Sequence, residues 1–280
     1  MSSWKRTTVE TERGTFEVFV KGEGPPVAVT HLYSIFNESG DYFAEALSRF
    51  YQVYLINLKG CGDSSTIASR YEWSMLEAAI DLDAIRRAIG FNKWSFAGHS
   101  TGAMLGCLYG IHYADSLERL VMVSGAAREY MTESPECIYN NEHPQFETMQ
   151  HYLEELKQKD QSEPERKRIK RERTKLSLYK PAQFDSYFDQ SIEKELSAER
   201  LRFFSRELHI FDVTRKLPLI SCPTLVVCGE HDVQCPLSYS REIADHIPDA
   251  RLEIFRESNH YPFLEEKQKF SDVLEDFSTK

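Results

Sequence analysis

The segment Gly98-His99-Ser100-Thr101-Gly102 is the most informative in the sequence, because it joins a short apolar run, Trp94–Ala97, to a segment with helical periodicity, Thr101–Tyr113. It has the form Gly-x-Ser-x-Gly, in which a serine lies on a tight turn between a strand and a helix. Side chains two positions before and after the serine would collide across that turn, so Gly98 and Gly102 fit this geometry. The free N–H groups at the start of the helix then face negative charge that develops beside the serine. The stretch therefore predicts a nucleophilic serine at the end of a buried strand.

Outward from this stretch, apolar runs alternate with helical segments along most of the chain. The predicted strands are Lys5–Thr11, Thr15–Val20, Val27–Thr30, Val53–Leu58, Trp94–Ala97, Leu120–Ser124, Leu225–Cys228 and Leu252–Phe255. The predicted helices are Tyr42–Phe50, Trp73–Ile89, Thr101–Tyr113, Ser238–His246 and Phe263–Phe277. Such alternation is typical of an α/β fold, so we expect a mostly parallel, twisted sheet of about eight strands with helices on both faces.

One long segment, residues 127–215, interrupts the alternation with helical periodicity and no convincing strand. We therefore predict a core domain formed by residues 1–126 and 216–280 and a helical insertion at 127–215. Within the insertion, Arg166–Lys175 holds seven lysines and arginines in ten residues. Glutamates interleave with these cations, so we interpret the run as a solvated helix face rather than a nucleic-acid site.

The composition favours a globular chain with a small-molecule partner. The chain has 280 residues, 41% of them hydrophobic, and a formal net charge of −10, which argues against disorder and against nucleic-acid binding. No apolar run approaches the roughly 18 residues of a membrane-spanning helix, so we expect no membrane partner. The N-terminal residues lack the apolar stretch of a signal peptide, which predicts a cytoplasmic location. The oligomeric state is not predicted.

The six cysteines are spread along the chain without a Cys-x-x-Cys pair, and this spacing indicates reduced, packed thiols rather than disulfides or a zinc site. We predict no metal and no organic cofactor.

A serine hydroxyl needs a base at neutral pH, and the base needs an acid that fixes its tautomer. Asp232 follows the seventh predicted strand and His260 follows the eighth. Because the carboxyl ends of parallel strands share one edge of the sheet, we expect Ser100, Asp232 and His260 to converge there as nucleophile, acid and base. Glu230 is the second candidate for the acid.

Two backbone N–H groups are expected to stabilise the oxyanion that forms when the serine attacks. One belongs to Thr101, directly after the serine, and the other to Tyr33, in the turn that follows the third predicted strand. His31, in the same turn, is expected to lie beneath the site as a hydrogen-bonded supporting residue.

Taken together, these motifs resemble the α/β-hydrolase fold family, and specifically its capped group that includes the proline iminopeptidases. Gly98–Gly102 resembles the nucleophile elbow of that family, Gly229–Pro236 its acid loop and Ser258–His260 its histidine loop. The segment Lys59–Ser64 is similar to the Arg-Gly-x-Gly-x-Ser turn after the fourth strand. By this resemblance the insertion 127–215 is a cap, or lid, over the active site.

The chain departs from the family pattern at Leu32, where the family has glycine after histidine. The glycine-rich segment of the iminopeptidases is absent here, which argues against peptidase activity. Enzymes of that type also carry cap carboxylates that hold the amino group of the substrate, and the sequence singles out none of its candidates. These candidates are Glu147, Glu154, Glu155, Asp185 and Asp189.

The predicted function is a serine hydrolase that cleaves a small, partly apolar ester, lactone or amide through an acyl-enzyme. One alternative is a proline iminopeptidase-like aminopeptidase acting on short peptides. Another is a non-catalytic protein that keeps the fold and binds a small ligand, which Leu32 favours because it would obstruct the oxyanion turn.

Overall fold

The computed structural model describes residues 3–158 and 160–279. Its strands are β1 Lys5–Thr11, β2 Gly14–Lys21, β3 Pro26–Val29, β4 Ser34–Ile35, β5 Gln52–Ile56, β6 Trp94–His99, β7 Leu117–Val123, β8 Glu195–Leu196, β9 Thr224–Gly229 and β10 Ala250–Phe255. Its α-helices are α1 Tyr42–Leu47, α2 Met75–Ile89, α3 Thr101–Tyr113, α4 Phe146–Lys157, α5 Glu163–Lys175, α6 Phe184–Tyr187, α7 Ala198–Glu207, α8 Leu237–His246, α9 Pro262–Glu265 and α10 Lys267–Thr279. Short 3₁₀ turns cover Arg70–Trp73, Ala114–Ser116, Pro181–Gln183, Leu208–Ile210 and Thr214–Leu219.

Eight of these strands form one sheet in the order β1-β2-β5-β3-β6-β7-β9-β10. β2 pairs antiparallel with both β1 and β5, and every other neighbouring pair is parallel. Each predicted strand overlaps one of the eight, so the predicted mostly parallel sheet is confirmed. β6, β7, β9 and β10 lie side by side, which brings their carboxyl ends to a common edge.

Helices cover both faces of the sheet because side chains along each strand alternate between two apolar layers. In β6, Phe96 packs in the layer that contains α2, α3 and α8, whereas Ala97 packs in the layer that contains α1, α9 and α10. Both side chains are fully buried. The predicted two-sided α/β architecture is confirmed.

Two details of the predicted elements are wrong. The insertion 127–215 contains the short strand β8, which pairs with β4 in a separate two-stranded ribbon. Two exposed residues are too few to show a strand pattern, and β8 forms only because β4 offers it a partner. The predicted helix Phe263–Phe277 is two helices, because α9 ends at Glu265 and α10 begins at Lys267.

The basic run lies within α5, and four of its cations form ion pairs with neighbouring carboxylates. These pairs are Lys167–Glu163, Arg168–Glu165, Arg171–Asp185 and Lys175–Glu172. All six cysteines are buried and unpaired, as predicted. Within residues 3–158 and 160–279, no helix combines the length and apolar character needed to span a bilayer.

Candidate active site

Ser100 lies between β6 and α3 with strained backbone angles, φ 57° and ψ −120°. Among the described residues, only Ser124 is another non-glycine residue with positive φ. The strain is held by hydrogen bonds, because Ser100 N–H donates to Val123 O at 2.9 Å and Ser100 O accepts from Ala103 N–H at 2.9 Å. A sparsely populated conformation that its surroundings fix in this way is typical of functional turns.

The two glycines of the turn are required by close backbone packing. A Cβ on Gly98 would lie 2.2 Å from the carbonyl atoms of Gly102, and a Cβ on Gly102 would lie 2.4 Å from Thr30 O. Both distances are far below any ordinary van der Waals contact. The turn therefore presses α3 against β6 and against the end of β3, where the segment with Tyr33 begins.

Asp232 and His260 form a buried pair at the carboxyl ends of β9 and β10. Nδ1 of His260 lies 3.0 Å from each carboxylate oxygen of Asp232, and the two side chains are 3% and 0% exposed. Asp232 Oδ1 also accepts the N–H groups of Gln234 and Cys235, both at 2.9 Å. Since a carboxylate only accepts, the bond places the proton on Nδ1 and leaves Nε2 of His260 free to accept another.

The loops that carry this pair are joined to each other by their backbones. His231 N–H donates to Ser258 O at 3.1 Å, and Val233 N–H donates to the Asn259 side-chain oxygen at 3.0 Å. Glu230, the second candidate for the acid, is exposed. Asp232 is therefore the carboxylate that the structure brings to His260.

His99 connects His260 to the serine turn, although the sequence does not predict it as a site residue. Its Nε2 bonds to the backbone oxygen of His260 at 2.8 Å, and the two imidazole rings lie 4.7 Å apart. Burial lowers the pKa of His99 well below its usual value, so the ring is neutral and donates from Nε2. His99 lies on the face of β6 that α9 covers, where its ring contacts Phe263. It reaches His260 because the loop before α9 also lies over this face, with Tyr261 against the His99 ring.

His31 bonds to both segments that carry the predicted oxyanion donors. Its Nδ1 lies 3.5 Å from Tyr33 N and 3.0 Å from Ser34 Oγ, and its Nε2 lies 3.1 Å from Thr101 Oγ1. Burial lowers the pKa of His31 well below its usual value, so the ring is neutral. With Nδ1 accepting the Tyr33 N–H, Nε2 carries the proton and donates it to Thr101. The Thr101 N–H is the first of α3 and has no acceptor within the helix.

Leu32 does not occupy the backbone region that would require glycine. Among the described residues, positive φ at non-glycine positions occurs only at Ser100 and Ser124, so Leu32 lies outside the left-handed region. Its side chain is 2% exposed and packs in the layer of α2 and α3. A leucine is therefore compatible with the turn that follows β3.

Aromatic side chains surround this edge of the sheet, and the positive charges of Arg173 and Lys194 act on it. Tyr33 packs on Phe204 at a ring distance of 5.6 Å, and Tyr261 packs on His260 at 5.3 Å. Burial raises the pKa of Tyr33 to about 12 and also raises that of Tyr261. The positive charge of Arg173, in the last turn of α5, opposes both shifts. The surroundings are thus mostly apolar with positive charge nearby.

A cavity of about 850 Å³ borders the acid loop, and Tyr179 and His231, whose rings stack at a distance of 4.6 Å, are among the residues that line it. Asp232 contributes to its wall together with residues of the insertion. In the described part of the chain, no group of three or more His, Cys, Asp and Glu side chains is arranged to hold a metal ion.

Comparison with known proteins agrees with this architecture. An alpha/beta hydrolase from Bacillus anthracis str. Sterne superposes with a TM-score of 0.95 and 39% identity over 99% of this chain and 100% of its own. A pimeloyl-[acyl-carrier protein] methyl ester esterase from Vibrio atlanticus is 23% identical over 93% of this chain and 97% of its own. A proline iminopeptidase from Lactobacillus delbrueckii is 23% identical over 85% of this chain and 83% of its own. The sequence model of the alpha/beta hydrolase fold matches residues 33–267. The chain therefore belongs to the alpha/beta hydrolase fold family.

Proposed function

We propose that this protein is a serine hydrolase in which Ser100, His260 and Asp232 form the catalytic triad. The observation that carries the proposal is the buried bond of 3.0 Å between Asp232 and His260, adjacent to the strained serine turn. The bond leaves Nε2 of His260 as the proton acceptor that a serine nucleophile needs. His99 bonds to the backbone of His260 and thereby supports the position of the base.

In the proposed reaction, Ser100 Oγ attacks the carbonyl carbon of the substrate while His260 Nε2 accepts the hydroxyl proton. The Tyr33 and Thr101 N–H groups stabilise the resulting oxyanion, and Asp232 stabilises the imidazolium. His260 then gives its proton to the leaving group, which leaves an acyl-enzyme. Water attacks the acyl-enzyme in a second cycle of the same kind and releases the acid.

The proposed substrate is a small, partly apolar ester, lactone or amide. Support comes from the aromatic surroundings of the triad and from the esterase among the relatives. We also propose that 127–215 is a cap on a core made of 1–126 and 216–280. This segment supplies α4 to α7, and its Ser177 O accepts the His260 N–H at 3.3 Å, so it contacts the histidine loop directly.

An aminopeptidase acting on short peptides is the second candidate, favoured by the proline iminopeptidases among the relatives. That function needs a carboxylate for the amino group of the substrate. Two of the cap candidates already have cationic partners, since Glu154 pairs with Lys157 and Asp185 pairs with Arg171. These pairs favour the esterase over the peptidase.

The two candidates differ in the substrates that they turn over. We expect hydrolysis of a short-chain p-nitrophenyl ester with a pre-steady-state burst, little turnover of a proline arylamide, and loss of the burst in Ser100→Ala. A faster reaction with the arylamide would support the aminopeptidase. If the wild type binds the ester but does not hydrolyse it, the result would support a non-catalytic ligand-binding protein.

A further inference from the structure

Arg200 of α7 is a buried cation whose hydrogen bonds run to main-chain carbonyls. The residue is 2% exposed, its Nε donates to Lys59 O at 2.7 Å, and its Nη1 donates to Leu32 O at 3.1 Å. The guanidinium lies over the Trp73 ring, 5.5 Å from its centre. Nη2 has no hydrogen-bond partner among the described residues. A buried arginine with an unsatisfied donor is costly, so its presence calls for a reason.

Arg200 holds the carbonyl of the peptide group between Leu32 and Tyr33. Leu32 C=O and Tyr33 N–H belong to one trans peptide and point in opposite directions. When Arg200 fixes the carbonyl on one side, it also directs the Tyr33 N–H to the other side. There the N–H donates to Nδ1 of His31 at 3.5 Å, a long and therefore weak hydrogen bond that a charged oxyanion can displace. The same imidazole bonds to Thr101, directly after Ser100.

The residues just before Arg200 bind the rest of the same turn. Ser197 N–H donates to Tyr33 O at 2.8 Å. In the β4–β8 ribbon, Ser34 pairs with Leu196 and Ile35 pairs with Glu195. One stretch of the insertion, Glu195–Arg200, therefore bonds to four consecutive residues, 32–35. We call this stretch the clamp.

We propose that the clamp positions the Tyr33 N–H as an oxyanion donor, with Arg200 as the positioning residue that keeps the Leu32–Tyr33 peptide from rotating. The proposal rests on the proposed serine hydrolase function and extends it. It gives the insertion a direct part in transition-state stabilisation, beyond covering the site. It also accounts for Leu32, since an anchored peptide keeps its orientation without a glycine in the turn.

The first test replaces Arg200 with methionine, which keeps the volume and removes the donors. We expect kcat/KM for the p-nitrophenyl ester to fall about 10- to 100-fold, the range for partial loss of one oxyanion donor. Affinity for a trifluoromethyl ketone, which forms an oxyanion on the serine, should fall by a similar factor. Binding of the ester itself, measured in a Ser100→Ala background, should change less than about twofold because a ground-state carbonyl uses the donor weakly.

Two further variants separate positioning from general stabilisation. Arg200→Lys retains a donor for one of the two carbonyls and should recover part of the lost ketone affinity. Arg202→Met is the matched control, because Arg202 lies on the same helix, is exposed and pairs with Glu199. It should behave like the wild type in every assay.

The second test removes a single N–H from the clamp. Ser197 has φ −74°, which proline adopts without strain, so Ser197→Pro deletes the bond to Tyr33 O. Ser197→Pro also removes the Ser197 hydroxyl, which accepts the Arg200 N–H at 3.4 Å. Ser197→Ala is the control, because it removes this hydroxyl but keeps the N–H. We expect Ser197→Pro to lose ketone affinity relative to Ser197→Ala, with similar unfolding midpoints for the two.

Either of two outcomes would overturn the proposal: wild-type ketone affinity in both Arg200→Met and Ser197→Pro, or equal losses of ester and ketone binding. Absence of Ser100 labelling by a fluorophosphonate in the wild type would instead refute the proposed function. In that case hydrogen exchange still tests the anchoring. Faster exchange over residues 31–36 in Arg200→Met than in Arg202→Met supports the clamp, and equal exchange refutes it.

Discussion

Replacing Asp232 with asparagine tests the proposed acid while nearly preserving its shape. Asp232 Oδ1 accepts two backbone N–H groups, and both oxygens lie 3.0 Å from His260 Nδ1. An asparagine keeps its oxygen toward the backbone donors and turns its NH₂ group toward His260. Because two donors cannot bond to each other, the imidazole proton moves to Nε2. The nitrogen that should accept the Ser100 proton is then already protonated.

We expect kcat to fall about 10³- to 10⁴-fold, which corresponds to about 4 to 5.5 kcal/mol in the barrier. The assay is steady-state hydrolysis of a p-nitrophenyl ester, with circular dichroism to verify folding. Glu230→Gln is the matched control, because this exposed residue belongs to the same loop and should leave kcat unchanged. A kcat within threefold of the wild type for Asp232→Asn would show that Asp232 does not act as the acid of the triad. A large loss in Glu230→Gln instead would move the acid to Glu230.

Three further predictions concern stability and selectivity. Burial lowers the pKa values of His31 and His99, so below about pH 6.5 the unfolded chain binds more protons than the folded one. As the pH falls below about 6.5, the free energy of unfolding should decrease by up to about 1.4 kcal/mol per pH unit for each histidine. Urea unfolding at pH 5.5 and 7.5 measures this decrease. A pH-independent value would contradict it. Gly98→Ala forces a Cβ to within 2.2 Å of backbone atoms and should cost at least about 1–3 kcal/mol and most of the activity, whereas Gly106→Ala meets only side chains at 3.2 Å or more and should fold normally. Equal unfolding midpoints would argue against a tight turn. Since Arg173 carries positive charge near the tyrosines, esters with a free carboxylate should be preferred over their neutral analogues, and Arg173→Gln should lower that kcat/KM ratio about 5- to 10-fold. An unchanged ratio would place the substrate away from this charge.

The sheet and the order of the candidate site residues are predictable from sequence because both follow from local patterns. Buried parallel strands appear as short apolar runs, and Asp232 and His260 each come shortly after such a run. Because the carboxyl ends of parallel strands meet at one edge of a sheet, residues that follow different strands are expected to lie close together there. In the sheet, β10 lies beside β9, and β7 separates β9 from β6.

Contacts between distant segments have no comparable local signal. His99 and His260 are 161 residues apart, and their contact depends on the path of a loop over one face of the sheet. The sequence does not predict the burial of Arg200 either, because an arginine on a polar helix is typical of the surface. The limits of the cap and the cytoplasmic location stay predictions.

Mass-spectrometric location of a fluorophosphonate adduct tests directly whether Ser100 is the nucleophile. The proposed triad predicts one adduct per chain, on the peptide that contains Ser100, with labelling lost in Ser100→Ala and strongly slowed in His260→Ala. An adduct on a different residue, or labelling that persists in Ser100→Ala, would contradict the assignment of Ser100 as the nucleophile.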